Sequence, residues 1–341
     1  MKKIVLALSG GVDSAIAAHL LQQQGYQVYG LNLVTWGDDD QREGVQEIAD
    51  NLGFPVGFLD IRRSFREQVI QPFIQAYQDG LTPSPCVFCN RQVKWSLILQ
   101  KADQIGAEFV STGHYARLKR SETGLTEVWK AADLAKDQSY VLTFLTQSML
   151  SRTLLPLGEY NKPQIRELAA NLGLAVSSRP DSQDLCFLAC SDYRDFLREY
   201  SDQPFLPGPI YHVDGRLLGQ HQGLAFYTIG QRKGLPSATE ALYVVEKRTE
   251  DNRLIVGFLK DLGADTFTIN QVNWISGQEV PAATRVEVKI RYKALPVEAT
   301  VEPQKDGRIL VRADKLLRDI TPGQIAAFYQ GDRLLGGGVI E

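Results

Sequence analysis

Two cysteines three positions apart are the residues of this chain best suited to chemistry. Cys86 and Cys89 occur in the segment TPSPCVFCN, residues 82–90, which also contains two prolines. Such a pair can bind a metal ion, form a disulfide or carry sulfur. With 4 cysteines in 341 residues, the chain lacks the disulfide framework of a small secreted protein. We therefore expect metal or redox chemistry in a reducing compartment. The other cysteines are Cys186 and Cys190, and Cys190 alone is best interpreted as a small buried hydrophobic residue.

A second chemical signal is the loop SGGVDS, residues 9–14, between the first apolar run and the first helical pattern. Gly10 and Gly11 allow a ligand to approach the backbone closely, and a helix that begins near Asp13 or Ser14 presents its positive end to an anion. The Ser9 and Ser14 hydroxyls can donate to phosphate oxygens, and Asp13 could hold a metal ion that bridges phosphates. The loop has neither the lysine of a P-loop nor the G-x-G-x-x-G pattern. It predicts phosphate binding of another kind.

The apolar pattern predicts the elements that position these groups. Over residues 1–200, short apolar runs alternate with helical periodicity, which is typical of a doubly wound α/β domain with a parallel sheet. Because Pro83 and Pro85 restrict the backbone, we expect an extended loop before a helix that begins near Asn90. Residues 201–264 are rich in Gly and Pro and predict a small β domain. Alternating segments over 265–341 predict a C-terminal antiparallel β-barrel.

Composition narrows the class of protein. The chain carries 37 Lys and Arg against 40 Asp and Glu, so it lacks the basic excess common in nucleic-acid-binding proteins. Any RNA contact must come from a local patch. The apolar run Ile4 to Leu8 is too short for a signal peptide, and no run of about 18 apolar residues predicts a membrane span. We expect a cytoplasmic protein without a membrane partner.

The motifs taken together resemble a known family. SGGVDS resembles the PP-loop of ATP pyrophosphatases, which release pyrophosphate and leave AMP on a carbonyl oxygen of the substrate. Five further motifs are STGHYAR (111–117), KDQSYVL (136–142), DSQDLCFL (181–188), YTIGQRKGL (227–235) and LLGGGVI (334–340). In this order, and over nearly the whole chain, they resemble the tRNA-specific 2-thiouridylases, which replace O2 of the wobble uridine by sulfur.

The resemblance assigns roles to individual residues. It implies that Cys89 is the nucleophile and that Cys186 carries a persulfide. It implies a segment that meets the target base at Ser84, Pro85 and Cys86. The implied ATP contacts are Ala7, Leu8, Ser9, Gly10, Gly11, Val12, Asp13, Ser14, Leu33 and Gly113. The implied tRNA contacts are His114, Lys136, Asp137, Gln138, Arg291, Tyr292 and Gln324.

The resemblance also implies a reaction. ATP with Mg²⁺ adenylates the uridine, and a sulfur-donor protein, either a cysteine desulfurase or a sulfur relay, loads Cys186. The persulfide then attacks C2 directly, or Cys89 attacks the persulfide and frees hydrosulfide, which leaves a Cys89–Cys186 disulfide. Since thiolates perform these steps, we expect lowered cysteine pKa values, and the helix start near Cys89 offers a positive environment.

Cys86 departs from the family pattern, because many members have aspartate at this position. With Cys86, Cys89 and Cys186 the chain has three potential thiolate ligands, enough for a [4Fe–4S] cluster or a zinc ion with one open position. Cys86 could also act as a base or a spectator. Two other classes of protein stay open from the residues alone: a PP-loop synthetase or amidotransferase for a small molecule, and a non-catalytic RNA-binding protein.

Overall fold

A computed structural model describes residues 1–37, 42–178, 185–188 and 192–341 of the chain. Cys190 and residues 181–184 of the DSQDLCFL motif lie outside the described residues. The α-helices are α1 Val12–Gln23, α2 Arg42–Leu52, α3 Arg62–Phe65, α4 Gln71–Gln78, α5 Pro85–Cys89, α6 Ser96–Ile105, α7 Gln147–Leu150, α8 Lys162–Asn171 and α9 Tyr193–Tyr200.

The strands that follow the same numbering along the chain are β1 Lys3–Ala7, β2 Gln27–Val34, β3 Val56–Asp60, β4 Phe109–Ser111, β5 Ala116–Arg120, β6 Thr126–Lys130, β7 Thr153–Leu154, β8 Gly208–His212, β9 Leu217–His221, β10 Tyr243–Arg248, β11 Arg253–Gly257, β12 Ala264–Trp274, β13 Thr284–Lys289, β14 Val297–Pro303, β15 Ile309–Leu317, β16 Ile325–Gln330 and β17 Arg333–Ile340.

The first sheet is parallel, with strand order β3-β2-β1-β4-β7. Strand β1 has the sequence KIVLA, and Ile4, Val5 and Leu6 are fully buried because helices cover both faces of the sheet. Ile4 and Leu6 pack with residues of α1, α2 and α8, whereas Val5 packs with residues of α6. The predicted doubly wound α/β fold is therefore confirmed.

The cysteine pair lies on a helix that begins earlier than predicted. Ser84 is extended (φ −111°, ψ 74°), α5 begins at Pro85, and the helix continues through a π-helical stretch, Asn90–Trp95, into α6. The predicted start near Asn90 is wrong, because a proline in the first turn lacks only an N–H that would have no partner there. Cys86 and Cys89 are therefore helical residues. We call Pro85–Ile105 the cysteine helix.

Two β structures follow the first domain. Strands β8 to β11 form a four-stranded sheet in the order β10-β11-β8-β9. Strands β12 to β17 are antiparallel, and the pairing of β12 with β17 closes them into the predicted barrel. The hairpin β5–β6 of the first domain pairs with β17, through Arg333 opposite Trp129 and Leu334 opposite Val128. The barrel and the first domain thus share one sheet, and the domain boundaries drawn from sequence stay predictions.

Among the described residues, every helix is too short or too polar to span a lipid bilayer.

Candidate active site

The order of the parallel strands fixes where a ligand can bind. Strand β1 lies between β2 and β4, because the chain adds β2 and β3 on one side of β1 and then β4 and β7 on the other. In such parallel sheets, ligands bind outside the carboxyl ends of the strands where the strand order reverses, which here is beside β1. The loop after β1 carries the predicted phosphate-binding residues, and the loop after β4 carries Gly113 and His114. Leu33 lies near the end of β2, beside β1. The fold therefore gathers the predicted ATP contacts at one crevice.

The loop after β1 is preorganised by its own hydrogen bonds. Gly10 has a positive φ of 78°, which favours glycine, and α1 begins at Val12. The Ser14 hydroxyl accepts from the Ser9 backbone N–H at 3.2 Å and donates to the Gly11 carbonyl at 3.0 Å. The first N–H groups of α1 have no partner within the helix. The loop can therefore present backbone donors to a phosphate.

The loop after β4 packs directly on the loop after β1. A Cβ atom at Gly113 would lie 3.0 Å from the Ser14 nitrogen and 3.1 Å from the Asp13 carbonyl carbon. Since backbone atoms cannot move aside easily, this close approach requires glycine. The two loops thus form one wall of the crevice.

Asp13 has partners that sequence analysis missed. Lys162 Nζ donates to both carboxylate oxygens of Asp13, at 2.7 and 2.8 Å, and the Tyr115 hydroxyl donates to Oδ1 at 2.6 Å. Lys162 is only 7% exposed. It is the first residue of α8, where Asn161 and Gln164 form a capping box. A lysine at a helix start opposes the helix dipole, and this was the signal available in the sequence.

The structure brings the three thiols together. Cys86 and Cys186 are exposed, Cys89 is half-buried, and all are free. Leu185, Phe187 and Cys89 belong to the same hydrophobic cluster, and the Phe187 ring lies 5.1 Å from that of Phe73. This packing of its neighbours holds Cys186 close enough to interact electrostatically with Cys86 and Cys89.

The thiol pKa values differ from expectation. Burial raises the pKa of Cys86 to about 12 and that of Cys89 to about 11, and it also raises the pKa of Cys186. Electrostatic interaction with Lys94 lowers all three pKa values, but by less than burial raises them. The expected lowering is wrong for this conformation, because dense protein surroundings disfavour the thiolate even where the residue as a whole keeps solvent exposure.

The cysteines do not form a metal site in this conformation. The described part of the chain, which includes all three thiols, has no group of three or more His, Cys, Asp or Glu side chains arranged to hold a metal ion. The residues therefore do not fit the cluster or zinc alternatives, and neither is given a step in the chemistry below.

The loop before the cysteines is held by the other two domains. Gln324 of the barrel donates from Nε2 to the Thr82 carbonyl at 2.8 Å and to the Pro83 carbonyl at 3.3 Å. Its Oε1 accepts from the Ser84 hydroxyl at 3.3 Å. From β10, Lys247 donates to the Leu81 carbonyl at 3.4 Å. Hydrogen bonds from the other two domains thus hold the loop that leads into the predicted target-base segment of Ser84, Pro85 and Cys86.

Tyr292 is another barrel residue beside the cysteines. It is 37% exposed, its ring lies 6.0 Å from that of Tyr140, and it interacts electrostatically with Cys86. An aromatic side chain in this position could stack on a base.

Most of the other predicted tRNA contacts have partners within the protein. The Asp137 carboxylate is buried and accepts from the Ala131 and Ser139 backbones. Gln138 accepts from the Tyr115 N–H, and Arg291 donates to the Ile229 carbonyl at 2.9 Å. The Lys136 N–H bonds to the Asp133 carbonyl. Their roles toward tRNA stay predictions.

His114 lies in the loop after β4. We call this loop and the loop after β1, which carry predicted ATP contacts, the nucleotide loops. His114 joins them to the cysteine helix. Its ring packs on Trp95 with a centroid distance of 5.5 Å, and Nδ1 lies 2.7 Å from the Thr112 hydroxyl. Burial, with a smaller effect of Lys94, lowers the pKa of His114 well below its usual range. The imidazole is therefore neutral at pH 7.

Comparison with known proteins places these features in a family. A family model described as the tRNA methyl transferase HUP domain matches residues 2–190. The tRNA methyl transferase PRC-barrel domain matches 194–258, and the aminomethyltransferase beta-barrel domain matches 264–340. The descriptions of these models refer to methyl transfer, whereas the full-length relatives named next are thiouridylases.

Full-length relatives match the chain over nearly its whole length. The tRNA-specific 2-thiouridylase MnmA of Chloroflexus aggregans is 42% identical over 353 residues, which cover 100% of this chain and 98% of the relative. That of Lachnoclostridium phytofermentans is 39% identical over 355 residues, 100% and 99% of the two chains. That of Heliobacterium modesticaldum is 44% identical over 353 residues, 99% and 92%. The chain therefore belongs to the tRNA-specific 2-thiouridylase family of enzymes, the family that its motifs indicated.

Proposed function

We propose that this enzyme replaces O2 of the wobble uridine of tRNA by sulfur, in an ATP-dependent reaction that passes through an adenylated uridine and a cysteine persulfide. The observation that carries the proposal is the contact of His114 with Trp95, because it joins the nucleotide loops to the helix that bears Cys86 and Cys89. One crevice can then hold ATP and a thiol-reactive base together.

The nucleotide loops account for activation of the base. Backbone donors at the start of α1 would hold the phosphates, and the Asp13 carboxylate could hold a nucleotide-bound Mg²⁺ in competition with Lys162. Uridine O2 attacks the α-phosphorus, pyrophosphate leaves, and C2 acquires a good leaving group. The uridine must leave its base stack to reach this position.

The thiols account for the replacement of oxygen. A sulfur-donor protein, a cysteine desulfurase or a sulfur relay, converts Cys186 to a persulfide. The terminal sulfur attacks C2 and AMP leaves, after which Cys89 attacks Cys186 and frees the thiolated base. Alternatively, Cys89 first frees hydrosulfide, which attacks C2. In both routes Cys89 and Cys186 end as a disulfide, and two electrons from a thiol reductant restore them. We expect the reaction in the cytoplasm.

The test is incubation of the enzyme with ATP, Mg²⁺, a cysteine desulfurase with cysteine as the sulfur source, a thiol reductant and unmodified tRNA, followed by mass analysis of nucleosides. We expect 2-thiouridine, AMP and pyrophosphate, and no thiolation of a matched tRNA whose wobble base is cytidine. ADP and phosphate as products, or turnover of ATP without any tRNA, would reject the proposal and favour a small-molecule synthetase.

A further inference from the structure

Lys289 is a lysine of the barrel to which the family resemblance assigns no role. It lies on β13 and is half-buried, and its ammonium group lies 5.9 Å from the centroid of the Tyr140 ring and 5.7 Å from that of Tyr292. Among the described residues, none forms an ion pair or a hydrogen bond with this ammonium group. A half-buried lysine normally has a carboxylate partner, since desolvation disfavours the charge. The three N–H donors of Lys289 are therefore available to a ligand.

Asp137 is the carboxylate that interacts electrostatically with Lys289, but its oxygen atoms already have partners. Oδ1 accepts from the Ala131 N–H at 3.0 Å and from the Ser139 N–H at 3.2 Å, and Oδ2 accepts from the Ser139 hydroxyl at 2.8 Å. These bonds satisfy the buried carboxylate, and it forms no ion pair with Lys289. The faces of two tyrosine rings stabilise the ammonium group instead.

Hydrogen bonds place the Tyr140 ring beside the cysteine segment. The Tyr140 hydroxyl donates to the carbonyl of Ile325 at 2.9 Å. Ile325 follows Gln324, whose amide holds the loop before Cys86. The carbonyl of the residue after Tyr140 accepts at 3.0 Å from the side chain of Asn90, a residue of the cysteine helix. The ring, and the ammonium group over it, therefore lie at the predicted target-base segment.

Tyr292 gives this site a surface on which a base can stack. Its ring is exposed and lies 6.0 Å from that of Tyr140, with an angle of 62° between the ring planes. The buried Tyr140 ring and the ammonium group of Lys289 restrict its position. An exposed aromatic ring beside an ammonium group suits one nucleotide, whose base stacks on the ring and whose phosphate accepts from the lysine.

We propose that Lys289 is a further tRNA-binding residue, whose ammonium group binds a backbone phosphate beside the wobble uridine while Tyr292 stacks on the neighbouring base. A uridine that leaves its stack exposes one face of its neighbour, and an aromatic ring can cover that face. The identity of this nucleotide rests on the proposed function, whereas the contact of Lys289 with an RNA phosphate does not. The site provides a local positive charge for RNA in a chain whose net charge is −3.

The test measures Kd of the intact protein for unmodified tRNA by filter binding, without ATP, between about 50 and 300 mM KCl. One phosphate contact with a single strand contributes about 0.7 to the slope of log Kd against log salt concentration. We expect Lys289→Gln to raise Kd about fivefold at about 0.1 M KCl and to lower that slope by about 0.7. Lys289→Met keeps the aliphatic stem between the rings and should behave in the same way, so it serves if Lys289→Gln loses its native circular dichroism spectrum. Lys289→Arg should keep the wild-type slope, because it keeps the charge.

Two further variants separate stacking from charge. Tyr292→Leu removes the ring and no charge, so it should raise Kd about fivefold or more and leave the slope unchanged. Lys305→Gln removes an exposed lysine from the turn between β14 and β15, and it should change neither quantity.

Chemically modified tRNA locates the phosphate. Two tRNAs are ligated from synthetic fragments, one with a neutral methylphosphonate on the 5′ side of the wobble uridine and one with it on the 3′ side. We expect one of the two to raise Kd of the wild-type protein as much as Lys289→Gln does, and to cause no further rise in the variant, since both changes remove the same contact.

An unchanged slope in both neutral variants would overturn the proposal, because a lysine that only supports Tyr292 would alter Kd without altering its salt dependence. A raised KM for ATP with unchanged tRNA binding would also overturn it, since the phosphate would then belong to the nucleotide. Because tRNA binding needs neither ATP nor a sulfur donor, these results leave the proposed function standing. Conversely, Lys289-dependent tRNA binding by a protein that makes no 2-thiouridine would reject the proposed function alone.

Discussion

At the scale of single residues, an ion pair that spans 149 positions of the chain joins Asp13 of α1 to Lys162 of α8. Lys162 is almost completely buried, and its ammonium group contacts both oxygens of Asp13, whose side chain is 34% exposed. Removal of one partner from such a pair leaves an uncompensated charge. In the absence of nucleotide, the pair orients the carboxylate. With ATP bound, the same lysine would stabilise negative charge on the phosphates.

This arrangement predicts the behaviour of Lys162→Met. We expect ATP-dependent release of AMP in the presence of tRNA to fall by about 100-fold, the usual effect of losing one preorganised electrostatic group. The midpoint of thermal unfolding should also fall, because Asp13 loses its charged partner and keeps the hydrogen bond from Tyr115. Asp13→Asn in the Lys162→Met background should recover part of the stability without recovering turnover.

Lys3→Met is the control for that experiment, since Lys3 lies on β1 with an exposed side chain. It should leave both stability and AMP release unchanged. Full stability and wild-type AMP release in Lys162→Met would show that the pair contributes to neither.

At the scale of elements, local signals predict local structure well. The apolar run of β1, the glycine loop and the helical pattern of α1 follow one another in sequence, and all three occur as predicted. The start of the cysteine helix was misplaced because Pro85 is compatible both with an extended segment and with a first helical turn. Raised cysteine pKa values depend on packing from distant segments, which no local pattern encodes.

The approach of one loop to another gives the prediction at this scale. Gly113→Ala would place a methyl group 3.0 Å from the Ser14 nitrogen, so the start of α1 must shift. We expect KM for ATP to rise at least about fivefold and stability to fall by about 1–3 kcal/mol, as for other overpacked sites. Steady-state kinetics and urea unfolding would measure both effects.

Gly25→Ala provides the contrast, because Gly25 has φ 85° and open space around its Cα. Because alanine disfavours this positive φ, we expect the free energy of unfolding of Gly25→Ala to fall by about 1–2 kcal/mol. KM for ATP should not change. An unchanged KM in Gly113→Ala would show that the two loops do not form one nucleotide site.

At the scale of the whole molecule, residues far apart in sequence complete one site. The loop before Cys86 contacts Lys247 of the second sheet and Gln324 of the barrel, and the barrel itself is joined to the first domain through β6 and β17. Gly323, at φ 90°, allows this approach, since a Cβ atom there would lie 3.0 Å from the Thr82 nitrogen. The barrel therefore positions the loop before Cys86, in addition to any contact that the barrel makes with tRNA.

Gln324 separates these two roles, because the family resemblance assigns it to tRNA whereas its amide bonds to the cysteine loop. If the main role of Gln324 is to hold the loop before Cys86, Gln324→Ala leaves the Thr82 and Pro83 carbonyls without this donor. The free energy of unfolding should then fall by about 1–3 kcal/mol. We expect kcat for 2-thiouridine formation to fall about tenfold while Kd for tRNA stays within about twofold, measured by filter binding. Gln304→Ala, in an exposed turn of the barrel, should change neither quantity. Loosening the loop before Cys86 slows the chemistry that follows binding and leaves the tRNA-binding surface intact, so it lowers kcat without raising Kd. A raised Kd for tRNA with an unchanged kcat would instead make Gln324 a direct tRNA contact.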